Sequence, residues 1–245
     1  MSDVIEQLKK EFQDEVIIRL PLISYNNQML VKYDEIITKI MEQDLIEKAN
    51  ELLNTQLLKN TGSIISLYIL GIFELENGYK ESQYFEKLFH IFKNVKNWNM
   101  LSSLSRKVLT YNESIIALKY LSMIYVDKPH KENTKQDNDE LTDIWERIIR
   151  LDKTEAKLAE KLAELKELND ETEGAISYYK VALSRYLYYK EYMKMLHCWR
   201  KLVQLNPDDI NYFNKNEKVM FKVLPPEEYN KLYEDLYKYY FYIKA

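Results

Sequence analysis

The side chains best suited to chemistry in this sequence are three histidines, one cysteine and a run of carboxylates. No histidine lies three or four residues from another, so no two imidazoles share one helix face as a helical metal site requires. His197 and Cys198 are neighbours, and adjacent residues of a helix point in different directions. We expect Cys198 to be a small buried residue, and we predict no catalytic, cofactor-binding or metal-binding residues. The other histidines are His90 and His130.

A run of carboxylates extends from position 155 to position 171. An acid–base site needs carboxylates that converge across a cleft. These carboxylates follow one predicted helix and alternate with lysines, so opposite charges four residues apart can pair. We therefore interpret the run as a solvated helix face. The four glycines, at positions 62, 71, 78 and 174, make no phosphate-binding motif.

Composition favours an all-helical protein. The chain has 245 residues, of which 46% are hydrophobic and 30% are charged, as is usual for a folded protein. Its 4 glycines and 5 prolines are too few for the tight turns of a sheet protein. Apolar residues recur with the 3.6-residue period of amphipathic helices, and short linkers between such helices predict antiparallel neighbours.

Charge and targeting signals limit the partners and the location. A net charge of −4 lacks the basic excess of most nucleic-acid-binding proteins. Basic residues and tyrosines alternate over 185–201 and could contact single-stranded nucleic acid, but tyrosines at helical spacing more often pack. We therefore consider nucleic acid an improbable partner. The sequence shows no signal peptide and no membrane span, and its single cysteine favours the cytoplasm.

Residues 156–189 follow the pattern of a 34-residue helix-pair repeat. Small residues at fixed positions let two helices approach closely, and large residues fill the gaps between them. The pattern resembles the tetratricopeptide repeat. The matching positions are Leu162, Ala163, Ala175, Tyr179 and Ala182.

Other segments of the chain match the same repeat pattern. The first-helix pattern also occurs at Leu118, Leu121 and Ser122 and at Leu67, Leu70 and Gly71, and the second-helix ending occurs at Trp145…Leu151 and Trp199…Leu205. We therefore predict an all-α fold of antiparallel helix pairs, arranged as a right-handed tetratricopeptide-like α-solenoid. The alternative is a helical array without a repeat.

The sequence divides into four parts on this basis. An N-terminal helix and an irregular lead-in occupy 1–26, and a first group of helix pairs occupies 27–126. Residues 127–139 are polar and contain a proline, so we predict an exposed loop there. Residues 140–245 contain the tetratricopeptide-like repeats and an aromatic C-terminal helix. Asp44 is the predicted N-cap of a helix at 43–59.

Four segments resemble one protein family. They are Ser66–Gly71, Ile144–Ala156, Gly174–Leu183 and Leu202–Phe213. They are similar to the helical-repeat N-terminal region of long GreA-type bacterial transcription elongation factors, and the resemblance covers roughly residues 25–243. Gre factors rescue backtracked RNA polymerase through a coiled-coil finger with an acidic tip and a globular domain. Nothing in this sequence matches either part, so no residue of the tip is carried over.

The resemblance implies a non-catalytic protein-interaction scaffold whose partner is RNA polymerase or an associated factor. A stand-alone tetratricopeptide adaptor unrelated to transcription is the alternative. In either case the inner helix faces of such repeats line a binding groove. By register, the groove residues are Lys119, Met123, Lys157, Glu160, Glu164 and Glu167.

The predicted last helix, at 226–243, has an unusual end. Its aromatic residues cover most of the helix circumference, whereas solenoids normally end in a polar capping helix. We therefore expect a further repeat to pack on this helix, or the helix to self-associate. The aromatic residues are Tyr237, Tyr239, Tyr240, Phe241 and Tyr242.

Overall fold

The computed structural model is helical throughout the part of the chain that it describes. That part comprises residues 3–18, 22–127 and 135–206, together with positions 209, 212, 222, 224–227, 229–231 and 234. It contains eleven α-helices, one short 3-10 helix at Leu22–Ser24 and no strand, which confirms the all-α prediction. None of these helices is both long enough and apolar enough to cross a membrane.

The helices follow one another with short connections. They are α1 (Asp3–Ile18), α2 (Asn27–Glu42), α3 (Ile46–Lys59), α4 (Ile64–Glu76), α5 (Gln83–Asn94), α6 (Trp98–Leu109), α7 (Ile115–Asp127), α8 (Lys135–Leu151), α9 (Ala156–Leu168), α10 (Thr172–Tyr188) and α11 (Tyr192–Leu205). All the helices that the 3.6-residue period predicts in this part are present, with ends within four residues of the predicted ones. The predicted ranges are 2–14, 27–41, 43–59, 63–76, 80–94, 97–110, 113–126, 138–151, 154–168, 172–188 and 190–205. The aromatic cluster predicted at 237–242 lies outside the described residues.

The predicted loop at 127–139 was too long. Asp127 ends α7 and residues 135–139 already belong to α8, while 128–134 lie outside the described residues. The buried Leu141 and Ile144 anchor α8. A helix extends readily from such an anchor into polar residues because each added residue gains a hydrogen bond. Asp137 in the first turn also favours the helix start.

Five helix ends share one kind of sharp turn. A residue in the left-handed region follows the helix, and the next backbone N–H donates to a carbonyl of the last helical turn. For example, Glu171 donates to Lys166, and Glu191 donates to Tyr186, both at 2.9 Å. At four of the five ends the next helix begins two residues later. The left-handed residues are Asp44, Gly78, Lys96, Asp170 and Lys190, with φ between 53° and 83°.

The predicted role of Asp44 as an N-cap was therefore wrong. Asp44 has a φ of 53° and its N–H donates to the carbonyl of Met41, so it belongs to the turn that ends α2. Leu45 is the residue that precedes α3, and it provides no side-chain cap. Aspartate suits both roles because its short polar side chain also tolerates the left-handed region.

The chain forms two compact units, residues 1–144 and 145–245. In the first unit α4 is the central helix, and every residue from Ile64 to Phe73 is buried. A series of ring contacts with centroids 4.9–6.2 Å apart links α2, α4, α5 and α7. The rings belong to Tyr33, Tyr68, Phe85, Phe89 and Tyr120.

A carboxylate from α1 caps the central helix. The side chain of Glu15 accepts hydrogen bonds from the Ser63 hydroxyl and the Ile64 N–H, both at 2.6 Å, and from the Tyr25 hydroxyl at 3.4 Å. The carboxyl oxygens suit this position as hydrogen-bond acceptors because the first N–H groups of a helix have no partner within it. Glu15 thereby joins α1 to α4.

A distant carboxylate also caps α7, and the sequence at the start of α7 is similar to that at the start of α4. Glu81 accepts hydrogen bonds from the Ser114 hydroxyl and from the Ile115 N–H, the latter at 2.8 Å. The segments Ser63–Gly71 and Ser114–Ser122 share a serine, two isoleucines and two leucines at equal positions. The two helices are therefore similar in sequence and in the way that a distant glutamate caps them.

Gly71 marks the closest approach of α4 to α5. A Cβ atom at this position would lie 2.7 Å from Cδ2 and 2.8 Å from Cε2 of Phe85. The Phe85 ring is 1% exposed and has little room to move, because protein interiors are close-packed. This contact agrees with the sequence pattern, which predicts a small residue where two helices meet.

We expect Gly71→Ala to lower the free energy of unfolding by about 1 kcal/mol or more, because overpacking outweighs the higher helix propensity of alanine. Gly174→Ala is the matched control. Its nearest neighbour would be the flexible Lys166 side chain at 3.4 Å, so this change should stabilise by up to about 1 kcal/mol. Urea denaturation followed by circular dichroism measures both. Equal effects of the two variants would contradict the close approach at Phe85.

In the second unit α10 packs against both α9 and α11. Alanines at the interface allow the close approach, and Tyr179, Tyr186 and Trp199 fill the remaining space, each at most 1% exposed. The alanines of these helices that are 0% exposed are Ala159, Ala163, Ala175 and Ala182. Three of these four are small-residue positions of the predicted repeat.

Candidate partner-binding surface

The polar side chains of α9 and α11 meet on one face of the second unit. Glu160, Glu164 and Glu167 are four and three residues apart and therefore share one side of α9. His197 and Lys201 are four residues apart on α11. The Nε2 atom of His197 lies 3.8 Å from Oε1 of Glu160, and Nζ of Lys201 lies 3.0 Å from Oε1 of Glu167. We call these five residues, with Lys157, the α9–α11 face.

Two buried tyrosines of α10 lie beneath this face. The Tyr186 hydroxyl donates to Oε2 of Glu160 at 2.6 Å, and the Tyr179 hydroxyl donates to Oε2 of Glu167 at 2.9 Å. Burial, and then the neighbouring carboxylate, raise the pKa of both hydroxyls. Both tyrosines therefore remain hydrogen-bond donors at neutral pH and hold the carboxylates in place.

Glu167 is ionised and paired. Burial alone would raise its pKa, but hydrogen bonds from Lys201 and Tyr179 outweigh burial and lower the pKa below the usual value. Its charge is therefore compensated within the protein. The main role of Glu167 is therefore to link α9, α10 and α11.

The structure places the predicted groove residues in two groups. Lys157 and Glu164 are exposed on α9, while Glu160 and Glu167 are half-buried beside them. The other two, Lys119 and Met123, are half-buried on α7 in the first unit. Each group is a plausible contact surface within its own unit, and the groove that would join them stays a prediction.

Three residues of the basic and tyrosine-rich stretch at 185–201 are engaged within the protein. The guanidinium of Arg185 donates to the carbonyls of Ile149 at 2.7 Å and Glu155 at 3.1 Å, and Tyr186 is buried. Lys201 pairs with Glu167. These contacts give the three residues a structural role. The exposed basic and tyrosine residues of the stretch are Tyr188, Tyr189, Lys190, Lys194 and Arg200.

Cys198 is buried beneath the same face, as the sequence predicts, and is 0% exposed. Burial raises the pKa of its thiol, and the charges of Glu160 and Glu164 raise it further. The thiol therefore stays protonated at neutral pH. Since the thiolate is the nucleophilic form of cysteine, this environment suits packing and not catalysis.

One group of residues was missed by the sequence analysis. Ligand atoms of Glu160, Glu164 and His197 all lie within 4.8 Å of one another. The four-residue spacing of the two glutamates was visible in the sequence, but His197 stands on another helix. A search for histidine pairs on one helix could not find it.

Fold and surface together define an all-helical protein with a charged face across α9 and α11. No family model matches the sequence. Two curated proteins are similar to it. One is the "Putative GreA-associated domains protein" of Treponema pallidum (strain Nichols), 30% identical over 219 residues, which are 89% of this chain and 32% of that protein.

The other is a "Transcription elongation factor GreA" of Borreliella burgdorferi, 25% identical over 242 residues, which are 98% of this chain and 26% of that protein. The chain thus spans a third or less of the length of these relatives. Both names refer to GreA, and they support the resemblance that the sequence motifs indicated. The chain is therefore similar to part of two longer proteins that are named for GreA.

Proposed function

We propose that this chain is a non-catalytic protein-interaction scaffold, the accessory region of a GreA-type transcription elongation factor that acts with RNA polymerase in the cytoplasm. The observation that carries the proposal is the similarity over 89% and 98% of the chain to two relatives named for GreA. The exposed charges of Lys157 and Glu164, on a face that buried tyrosines hold in place, suit protein binding.

The proposal includes a tetratricopeptide-like repeat and a right-handed α-solenoid. Buried alanines at the repeat positions of α9 and α10 support it, as do the matching segments Ser63–Gly71 and Ser114–Ser122. In such repeats the first helix of each pair lines the binding groove. This assigns α7 and α9, and with them the six predicted groove residues, to the partner.

We expect the purified chain to bind purified RNA polymerase, and the double charge reversal Lys157→Glu with Glu164→Lys to weaken binding at least tenfold. The reversal keeps the net charge, so a loss would reflect local complementarity, which governs specificity and association rate. Surface plasmon resonance measures the affinity. The matched control is Lys48→Glu with Glu51→Lys, a swap of two exposed charges on α3.

Polymerase binding that survives the reversal on α9 would contradict the assigned surface. Absence of polymerase binding by the unmodified chain would contradict the role in transcription and favour the stand-alone adaptor. Equal losses in the α9 variant and the α3 control would also contradict the surface, because they would indicate nonspecific charge effects.

A further inference from the structure

Glu160, Glu164 and His197 have the composition of a metal-ion site. Two carboxylates and one imidazole are ligands that bind divalent transition metals, and imidazole in particular selects zinc and its neighbours over magnesium and calcium. The three groups come from two helices of one unit. We propose that they form a site for one divalent ion of the zinc class, a role distinct from the proposed scaffold function.

The distances require only small movements. Zn–O and Zn–N bonds of about 2.0–2.2 Å in a tetrahedral site place ligand atoms about 3.3–3.5 Å apart. Oε1 of Glu160 and Nε2 of His197 already lie 3.8 Å apart, and all three ligand atoms lie within 4.8 Å of one another. Glu164 is exposed, so rotation of its flexible side chain can close the remaining gap.

Tyr186 orients the least exposed ligand. Its hydroxyl donates to Oε2 of Glu160 at 2.6 Å, and this contact leaves Oε1 directed toward His197. Tyr186 is 1% exposed, and the Glu160 side chain is 16% exposed, so the carboxylate is held from below. Metal sites commonly use such a second layer of hydrogen bonds to fix a ligand.

Charge also favours a cation between α9 and α11. Glu160 and Glu164 are both acidic, and His197 is an acceptor when neutral. The lysines of α11 are used elsewhere, because Lys201 pairs with Glu167 and Lys194 pairs with Glu191. A divalent ion would compensate both carboxylates, and three protein ligands would leave its fourth position open to water.

We expect isothermal titration of the metal-free chain with zinc chloride to show one binding site, with no competition from magnesium at the same concentration. His197→Ala and Glu164→Gln should each weaken zinc binding at least tenfold. Tyr186→Phe should weaken it severalfold, because second-layer contacts tune metal affinity. His90→Ala is the matched control, since His90 is exposed on α5 in the first unit, and it should bind zinc as the unmodified chain does.

Cobalt substitution distinguishes this site from the nearby thiol. A cobalt complex of nitrogen and oxygen ligands lacks the strong near-ultraviolet band of a thiolate ligand, so the absence of that band is the expected result. A thiolate band would assign the metal to Cys198 and overturn the proposal. The proposal also fails if His197→Ala binds zinc as tightly as the unmodified chain, or if His90→Ala loses as much affinity as His197→Ala.

Discussion

Replacing Trp199 with alanine is expected to lower the free energy of unfolding of the second unit by about 3–5 kcal/mol, the usual cost of deleting a buried tryptophan. The side chain is 1% exposed, and its ring stacks on Tyr212 with centroids 6.3 Å apart. Its removal leaves a cavity that the rigid helix backbones cannot fill. Urea denaturation followed by circular dichroism measures the loss.

Tyr188 provides the control for this variant. It is 79% exposed near the end of α10, so Tyr188→Ala should change stability by no more than about 0.5 kcal/mol. Trp199→Phe should lie between the two, because it retains one ring of the side chain. A loss below about 1 kcal/mol for Trp199→Ala would show that this residue does not occupy a close-packed core.

Replacing Glu15 with alanine should lower the free energy of unfolding by about 2–3 kcal/mol, because helix α4 loses its cap and a buried N–H loses its acceptor. The Ile64 N–H donates to Glu15 at 2.6 Å, and Ile64 is 2% exposed, so water cannot replace the carboxylate easily. Glu6→Ala on the same helix is the control. Glu6 is exposed and pairs with Lys9, so its loss should cost less than about 0.5 kcal/mol.

The titration of Glu15 makes the free energy of unfolding depend on pH, and the direction of this dependence follows from the pKa shift of Glu15. Burial raises the pKa of Glu15 above its ordinary value of 4.5, although hydrogen bonds from Ser63, Ile64, Ile65 and Tyr25 oppose the rise. The folded state therefore holds the proton more tightly than the unfolded state. The stabilisation that comes from this difference in proton binding is fully present below pH 4.5, and it is lost as the pH rises through the pKa of Glu15 in the folded state.

Glu15→Gln tests this dependence because glutamine keeps a carbonyl acceptor and does not titrate. We expect the free energy of unfolding of the unmodified chain, relative to that of Glu15→Gln, to fall as the pH rises from 4.5 through the raised pKa of Glu15. Urea denaturation across this range measures the difference. A difference that stays constant with pH, or that rises, would contradict the raised pKa of Glu15.

The helices themselves could be predicted well from local signals. The predicted bounds of α10, 172–188, are those of the structure, because apolar periodicity and polar turns mark both ends. Asp44 shows the limit of such signals. Aspartate is common both before a helix and in a left-handed turn after one, and the path of the chain decides between the two.

The capping glutamates could not be predicted, although a clue was present. The repeated segments at Ser63 and Ser114 identify two similar helices in the sequence. The carboxylates that cap them lie 48 and 33 positions earlier in the chain. No local pattern connects residues so far apart, because the contacts depend on where α1 and the turn that leads into α5 pack.

The amino-acid sequence by itself determined the helical class, the approximate position of each helix and which residues share one helix face. These properties depend on composition and on the 3.6-residue period, which act over a few turns. Only the tertiary structure decided that His197 meets Glu160, that Lys201 neutralises Glu167 and that Tyr186 lies beneath both α9 and α11. Such contacts arise because α10 packs between two other helices, and the geometry of that packing depends on side-chain volumes throughout the unit.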